Sequence, residues 1–316
     1  MIYHAFEKCT SLSQITIPSS VTSIENGVFY ECLSLAKITF PSAIKRIISF
    51  AFYKCVSLTQ IIIPSSVTYI GNHAFAYCSS LTKITIPSTI THIMEHVFEG
   101  CASLEQIIIP SSVISIGYGA FNGCSSLTDV LFKKPSSLTS LDDKAFNKCK
   151  SLKKIAIPSS VNRIGHYAFS ECSSLEQIKI PSSVASIGDY TFNQCTSLYQ
   201  VIMHSKVTLI GSYAFAECTS IRKIVIPPSV KRILSYAFYK CSNLEQVGIP
   251  SSVNFIGYYA FAYCSSLVNI SIPSSVTEIG KAAFYGCTSL TQVTVGSSLK
   301  SIEFGTFPSG AKIITI

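Results

Sequence analysis

The sequence predicts an α/β-type repeat solenoid, in which near-identical coils pile up with short parallel strands on one face and turns or short helical turns on the other. Three observations carry this prediction. Thirteen cysteines stand at Cys9, Cys32, Cys55, Cys78, Cys101, Cys124, Cys149, Cys172, Cys195, Cys218, Cys241, Cys264 and Cys287, so every interval is 23 residues except one of 25. Self-similarity at a fixed period of this size marks a repeat array. Within each unit the apolar spacing changes from two to three, and in most units a Pro-Ser-Ser punctuates the change. The 316 residues are therefore expected to form one solenoid, 1–316, of about thirteen 23-residue repeats in place of two globular domains.

Each unit reads Cys-x-x-Leu-x-x-Ile-x-Ile-Pro-Ser-Ser-Val-x-x-Ile-Gly-x-x-Ala-Phe-x-x. In the first copy Ile15 and Ile17 alternate with Gln14 and Thr16, a period of two, which predicts a strand of about four residues with its isoleucines inward. Pro18 cannot donate a ladder hydrogen bond and ends the strand, and Ser19-Ser20 carries the turn. Val21 and Ile24 return to the interior three residues apart, and a second turn commonly carries glycine, as at Gly71 and Gly117. Val28-Phe29 followed by Cys32 has the spacing of a single helical turn, and Leu35 closes the coil. One unit cannot bury its apolar face alone, so stacking should align Phe6, Phe29, Phe52 and their counterparts through Phe307 in a column. The extra residues Lys133-Lys134, between Phe132 and Pro135, lengthen one repeat and predict a local bulge.

Composition narrows the function classes. Apolar residues reach 48% and charged residues only 13%, but the apolar runs are far shorter than the roughly 18 residues of a spanning helix, so no membrane span is expected. No basic-then-apolar leader precedes the first repeat at Ala5-Phe6, and no signal peptide is expected. Stacked cysteines should lie about 4.8 Å apart with parallel side chains, whereas a disulfide wants converging Cβ atoms about 3.8 Å apart. Free buried thiols are the expectation, and they suit a reducing setting. The net charge of +8 permits an acidic partner without demanding one, and no nucleic-acid motif accompanies it. No G-x-S-x-G, phosphate-cradling glycine loop or acidic calcium loop appears, and repetition does not gather unlike catalytic side chains at one place. Neither an enzyme nor a cofactor is expected. His92-Ile93-Met94-Glu95-His96 has the H-x-x-E-H spacing of a zinc protease class. That motif needs a helix, whereas Ile93 holds a core position of a tight turn and His96 falls in an aromatic column, so no metal site is expected. No polar capping unit is evident, and 311–316 should be a strand, which predicts self-association through an end or a longer natural chain.

Candidate binding residues are the outward strand positions. One column is polar throughout and includes Lys37, Gln60, Lys83, Gln106, Lys154, Gln177, Gln200 and Lys223. Its neighbour is mixed, with Ile62, Ile108, Leu131, Ile202 and Val225 among its apolar members. Such a row rimmed by Gln and Lys suits a protein partner, with Arg222 as a further contact and Tyr199 as a rim anchor. The competing reading is that glutamines pair along the stack and β-branched residues merely suit strands. Opposite the sheet a column holds His4, Phe50, His73 and His96, then Tyr167, Tyr190, Tyr213, Tyr236 and Tyr259, which either grip a partner or brace the turn before Ala-Phe. Lys133, Lys134, Lys144, Lys148, Lys150 and Lys153 concentrate charge around the irregular repeat. This basic knob is read either as a dock for an acidic protein, a sulfated glycan or phosphate groups, or as a solvated loop.

Leu81-x-x-Ile84-x-Ile86-Pro87 and Val113-x-x-Ile116-Gly117-x-x-Ala120-Phe121-x-x-Cys124, with counterparts in every repeat, resemble the leucine-rich repeats of the BspA-like, or Treponema pallidum, type. The asparagine common after the strand in other leucine-rich repeats is missing, and Ser20, Ser66 and Ser112 stand nearby, their hydroxyls expected to satisfy the backbone of the next coil. The resemblance covers essentially the whole chain. It implies a right-handed leucine-rich repeat superhelix whose strand face recognises proteins, with adhesion to host cells and matrix proteins as the associated role. The phrase Ser57-Leu58-Thr59-Gln60-Ile61-Ile62-Ile63-Pro64-Ser65-Ser66-Val67 is most similar to the large sets of protozoan parasites such as Entamoeba or Trichomonas. The expected function is a non-catalytic recognition scaffold, a cell-surface adhesion protein that binds a host extracellular-matrix or cell-surface protein through its exposed strands. The alternative is an intracellular protein-interaction scaffold, favoured by the missing leader and the free thiols. Localisation stays open between the two.

Overall fold

The computed structural model describes residues 3–299, 302–303 and 305–316. The chain divides into two compact units, Met1–Ser160 and Val161–Ile316, each built from the same coil. In the first unit the front strands are Gln14–Thr16, Lys37–Thr39, Gln60–Ile62, Lys83–Thr85, Gln106–Ile109 and Asp129–Phe132. A second series of two-residue strands, from Ser23–Ile24 to Ser140–Leu141, follows the Pro-Ser-Ser turns. The second unit repeats the plan, with front strands from Gln177–Lys179 to Lys312–Thr315 and short strands from Arg163–Ile164 to Glu278–Ile279. Pairing is parallel, one repeat apart, as in Gln14 with Lys37 and Gln177 with Gln200. The front strands are as short as their sequence implies, because proline lacks the N–H that the next rung would need. The two-residue strands were not legible: Val21 and Ile24 read as a turn returning to the core, yet Ser23–Ile24 pairs with Arg46–Ile47.

The back of each coil differs from the expected helical turn. Among the described residues no helix forms. Two positions per coil, two residues before and two after the column phenylalanines from Phe6 to Phe284, take positive φ: Phe50 (58°) and Lys54 (55°) around Phe52, Tyr213 (56°) and Glu217 (59°) around Phe215. A left-handed residue cannot propagate a right-handed helix. Amide partners alternate instead. Phe50, Phe52 and Lys54 donate to Asn72, Ala74 and Ala76 of the next coil at 3.0, 2.8 and 2.8 Å, while Ala51, Tyr53 and Cys55 donate within their own coil to Ile48, Phe50 and Phe52. The three-residue spacing that suggested a helix is that of overlapping four-residue turns. A left-handed side chain costs about 1–2 kcal/mol, and the hydrogen bonds it opens into the next coil, each worth about 0.5–1.5 kcal/mol net, offset that cost.

Inside each unit the phenylalanine column forms as expected. Ring centroids from Phe6 to Phe146 are 5.2 to 5.8 Å apart, and those from Phe169 to Phe307 are 5.0 to 5.6 Å apart. Serine hydroxyls after the prolines bond to the preceding coil and not to the next one as expected: Ser66 donates to Ile44 O at 2.6 Å and Ser112 to Ile90 O at 2.7 Å. Coils approach most closely at the glycine turn. A Cβ on Gly280 would lie 2.4 Å from the Tyr258 amide nitrogen, and one on Gly257 the same distance from that of Ser235.

The two extra residues act locally. Ser115 still pairs with Ser140, and Lys133 N still reaches Ile109 O at 2.9 Å. Past the bulge, however, the front strand expected to hold Lys154 is reduced to a single bridge at that residue. Residues 155–158 form no strand beside Asp129–Phe132.

Candidate recognition face

Strand alternation sets this surface: with Ile61, Ile84 and Ile107 buried, the residues on either side of each must face out. In the first unit Lys37, Gln60, Lys83, Gln106 and Lys154 are all exposed, and Gln60, Lys83 and Gln106 stand in one register row. In the second unit Gln177, Gln200, Arg222 and Lys223 are exposed, and Arg222 pairs with Glu245 at 3.3 Å. The apolar outward positions are open to solvent, with Ile62 81%, Leu131 47%, Ile202 43% and Val225 66% exposed. They do not form one continuous row. Ile108 faces Leu131 in register, but Ile62 stands beside Thr85, and Val225 beside Gly248.

Grooves between splayed strands gather these residues into patches. In the second unit Tyr199, Gln200, Ile202, Lys223 and Val225 line one groove, so five of the predicted residues meet there. In the first unit Lys83, Gln106, Ile108 and Lys133 border another. A third opens where the ladder is lost beside the insertion, lined by Leu131, Phe132, Lys134, Ala156, Ile157 and Pro158. Phe132, Ile157 and Pro158 were missed by sequence reasoning, since each reads as a core or turn residue. The signal that could have found them was the two-residue insertion itself.

Other predicted residues scatter. Of the basic knob, Lys133 and Lys134 lie in the front bulge, whereas Lys144 (φ 57°) and Lys148 (φ 60°) bracket Phe146 on the back. Lys150 and Lys153 occupy the exposed leg between, and Lys144 Nζ sits 5.4 Å from the Tyr118 ring centre. The tyrosine column is a half-buried stack on the back: Tyr167, Tyr190, Tyr213 and Tyr236 follow one another at 4.5 Å with planes within 6°. All thirteen cysteines are free and twelve are buried. Burial pushes the Cys32 thiol up to about 11 and the Cys241 thiol to about 12, so both stay protonated and unreactive in the fold. His92 is exposed on His92–Ile93 and contacts Thr91 Oγ1 at 3.0 Å, away from any helix. His96 instead meets His73 and Glu99, a grouping that the H-x-x-E-H spacing did not indicate.

Stacked coils, parallel one-repeat register and a ridged outer strand face define the class: a parallel-strand β-solenoid of repeats. The chain belongs to the BspA type leucine rich repeat family, whose sequence profile matches in six copies over residues 2–128, 130–245 and 231–316. Leucine-rich repeat families of this kind are generally protein-interaction scaffolds and typically non-catalytic. Among solved structures, a leucine-rich repeat protein from Bacteroides ovatus is similar over 100% of this chain and 87% of its own, at 26% identity and TM-score 0.70. A leucine rich cell surface protein from Faecalibacterium prausnitzii is similar over 90% of this chain and 87% of its own, at 31% identity and TM-score 0.60. The pneumococcal vaccine antigen PcpA shares the fold, at 21% identity over 98% of this chain and 85% of its own, with TM-score 0.54. No curated protein sequence matches the chain. Among the described residues no helix is long and apolar enough to cross a membrane.

Proposed function

We propose that the chain is a non-catalytic recognition scaffold that binds a protein through the outward strand face, and that it serves in adhesion at a cell surface. The observation that carries the reading is the exposure of large apolar side chains at strand positions rimmed by Lys and Gln, above all Ile202 and Val225 beside Tyr199 and Lys223. A groove of this kind receives an anchoring side chain, and its polar rim gives orientation. Support for a surface location comes from the relative in Faecalibacterium prausnitzii, which is a cell surface protein.

The test uses the full chain and a triple variant, Ile108→Lys, Leu131→Lys and Val225→Lys, assayed against immobilised extracellular-matrix proteins. Because these side chains are exposed, the variant should keep the parent's circular dichroism and melting temperature. Its binding should fall about ten-fold or more, the loss of about 1.4 kcal/mol or more. Equal binding by both chains removes the strand face from the function.

A second reading, an intracellular protein-interaction scaffold, is favoured by twelve buried free thiols, which a reducing compartment keeps intact. Protease added to intact cells separates the two. Digestion without lysis supports the surface, and full protection supports the interior.

A further inference from the structure

We propose that His73, His96 and Glu99 form a site for a divalent transition-metal ion, zinc in the first place. The repeat builds it by bringing three unlike exceptions together. His73 and His96 occupy the left-handed position two residues before Phe75 and Phe98, with φ of 56° and 54°. That position holds phenylalanine or tyrosine in many other coils. Because successive coils superimpose, the two imidazoles stack with centres 4.5 Å apart and planes within 8°. Glu99 follows Phe98, at a position where the His73 coil has Ala76. A nitrogen from each imidazole and a Glu99 carboxylate oxygen all lie within 4.8 Å of one another.

Three details point to a ligand and not to a closed hydrogen-bond set. Nδ1 of His73 is buried with no hydrogen-bond partner. Glu99 Oε2 lies 2.8 Å from His96 Nδ1, so two of the three donor atoms are already in contact. Glu99 is also held in place, since Asn122 Nδ2 donates to its other oxygen at 2.9 Å. An outer partner of this kind orients a metal-binding carboxylate.

Two imidazoles and a carboxylate form the three-ligand set that zinc accepts with a water at the fourth position. Imidazole donors also favour Zn²⁺, Cu²⁺ and Ni²⁺ over Mg²⁺ or Ca²⁺. Ligand bonds of about 2.0–2.2 Å require the donor atoms to close by about an ångström, and the two rings to fan open from their parallel stack. His92, the other histidine of the H-x-x-E-H run, is exposed and takes no part. The chain carries its own control in the His–Glu pair at His4 and Glu7, 2.9 Å apart, whose imidazole lies against Gly27 of the next coil.

Metal-stripped full chain dialysed against zinc chloride should bind about one equivalent tightly, and the cobalt-loaded chain should show visible d–d absorption. His73→Phe is a safe variant, because Phe50 already fills this position one coil earlier and stacks on His73 at 4.7 Å. It should weaken zinc binding about ten-fold or more, as should Glu99→Gln, with circular dichroism unchanged. His4→Phe should bind as the parent does. Absence of stoichiometric zinc, parent-like affinity in both His73→Phe and Glu99→Gln, or a comparable loss in His4→Phe would each overturn the assignment.

Discussion

Thiol and glycine positions show how single atoms hold adjacent coils together. In the first unit Cys32, Cys55, Cys78, Cys101, Cys124 and Cys149 each donate from Sγ to the carbonyl oxygen of the phenylalanine one coil earlier, at 2.9 to 3.2 Å. In the second unit Cys195, Cys218, Cys241, Cys264 and Cys287 do the same at 3.1 to 3.2 Å. A thiol reagent on the folded chain should therefore modify Cys9, which is half-buried, and reach the other cysteines only in denaturant. Rapid labelling of several cysteines without denaturant would contradict this. The glycine turns have less room. Gly280→Ala should cost about 1–3 kcal/mol, measured by chemical denaturation, because the new methyl group meets the Tyr258 backbone and not a side chain that can turn away. These residues were partly legible in the sequence. Spacing alone placed the cysteines in the core, but their hydrogen bonds depend on how far each coil advances, which spacing does not give.

Turns and strands, one level up, divide into what periodicity reveals and what it hides. Front strands announce themselves by alternation ended by proline. The back does not, because a 3-residue apolar spacing fits a helical turn and a chain of tight turns equally well. The available clue was glycine at two positions around the column phenylalanine, as in Gly27, Gly100, Gly119, Gly123 and Gly286, all at positive φ. Elsewhere the same conformation is held by Lys, Glu, Gln, His and Tyr, which mask it. The tyrosine stack that results has a measurable property. Burial first, then the neighbouring Tyr236 and Tyr190 phenols, push Tyr213 up to about 12, and burial also raises Tyr190. A folded-state value above the unfolded one means that the neutral phenol is favoured by folding. The stack's contribution is then complete below about pH 10 and is lost as pH rises through about 12. Absorbance titration should show late-ionising tyrosines, and Tyr213→Phe should make the alkaline fall in melting temperature shallower. Uniform ionisation near the ordinary phenol value would contradict the stack.

Across the whole molecule the sequence was clearest about class and least clear about function. Thirteen copies of one phrase leave no doubt about stacking, and the family match agrees. A recognition surface is harder to read, because outward residues are constrained only by not being inside. Register keeps Ile62 and Thr85 in one mixed row and pairs Ile108 with Leu131, as the spacing implied, but spacing does not say where neighbouring strands part. The grooves depend on where strands splay, and one of them opens beside the two-residue insertion. The one-repeat register within each unit carries a last consequence. A coil hands on to its successor the same donors and acceptors that it received, so a cut made at equivalent points heals without a raw seam. Removing 211–233, which would join Ile210 to Leu234, shortens the face by one rung and leaves every remaining rung its neighbour's grip. The reach of such a surface is set by how many times a phrase is copied, and descendants of this gene can lengthen or trim it by slippage while the chemistry of each rung stays as it is.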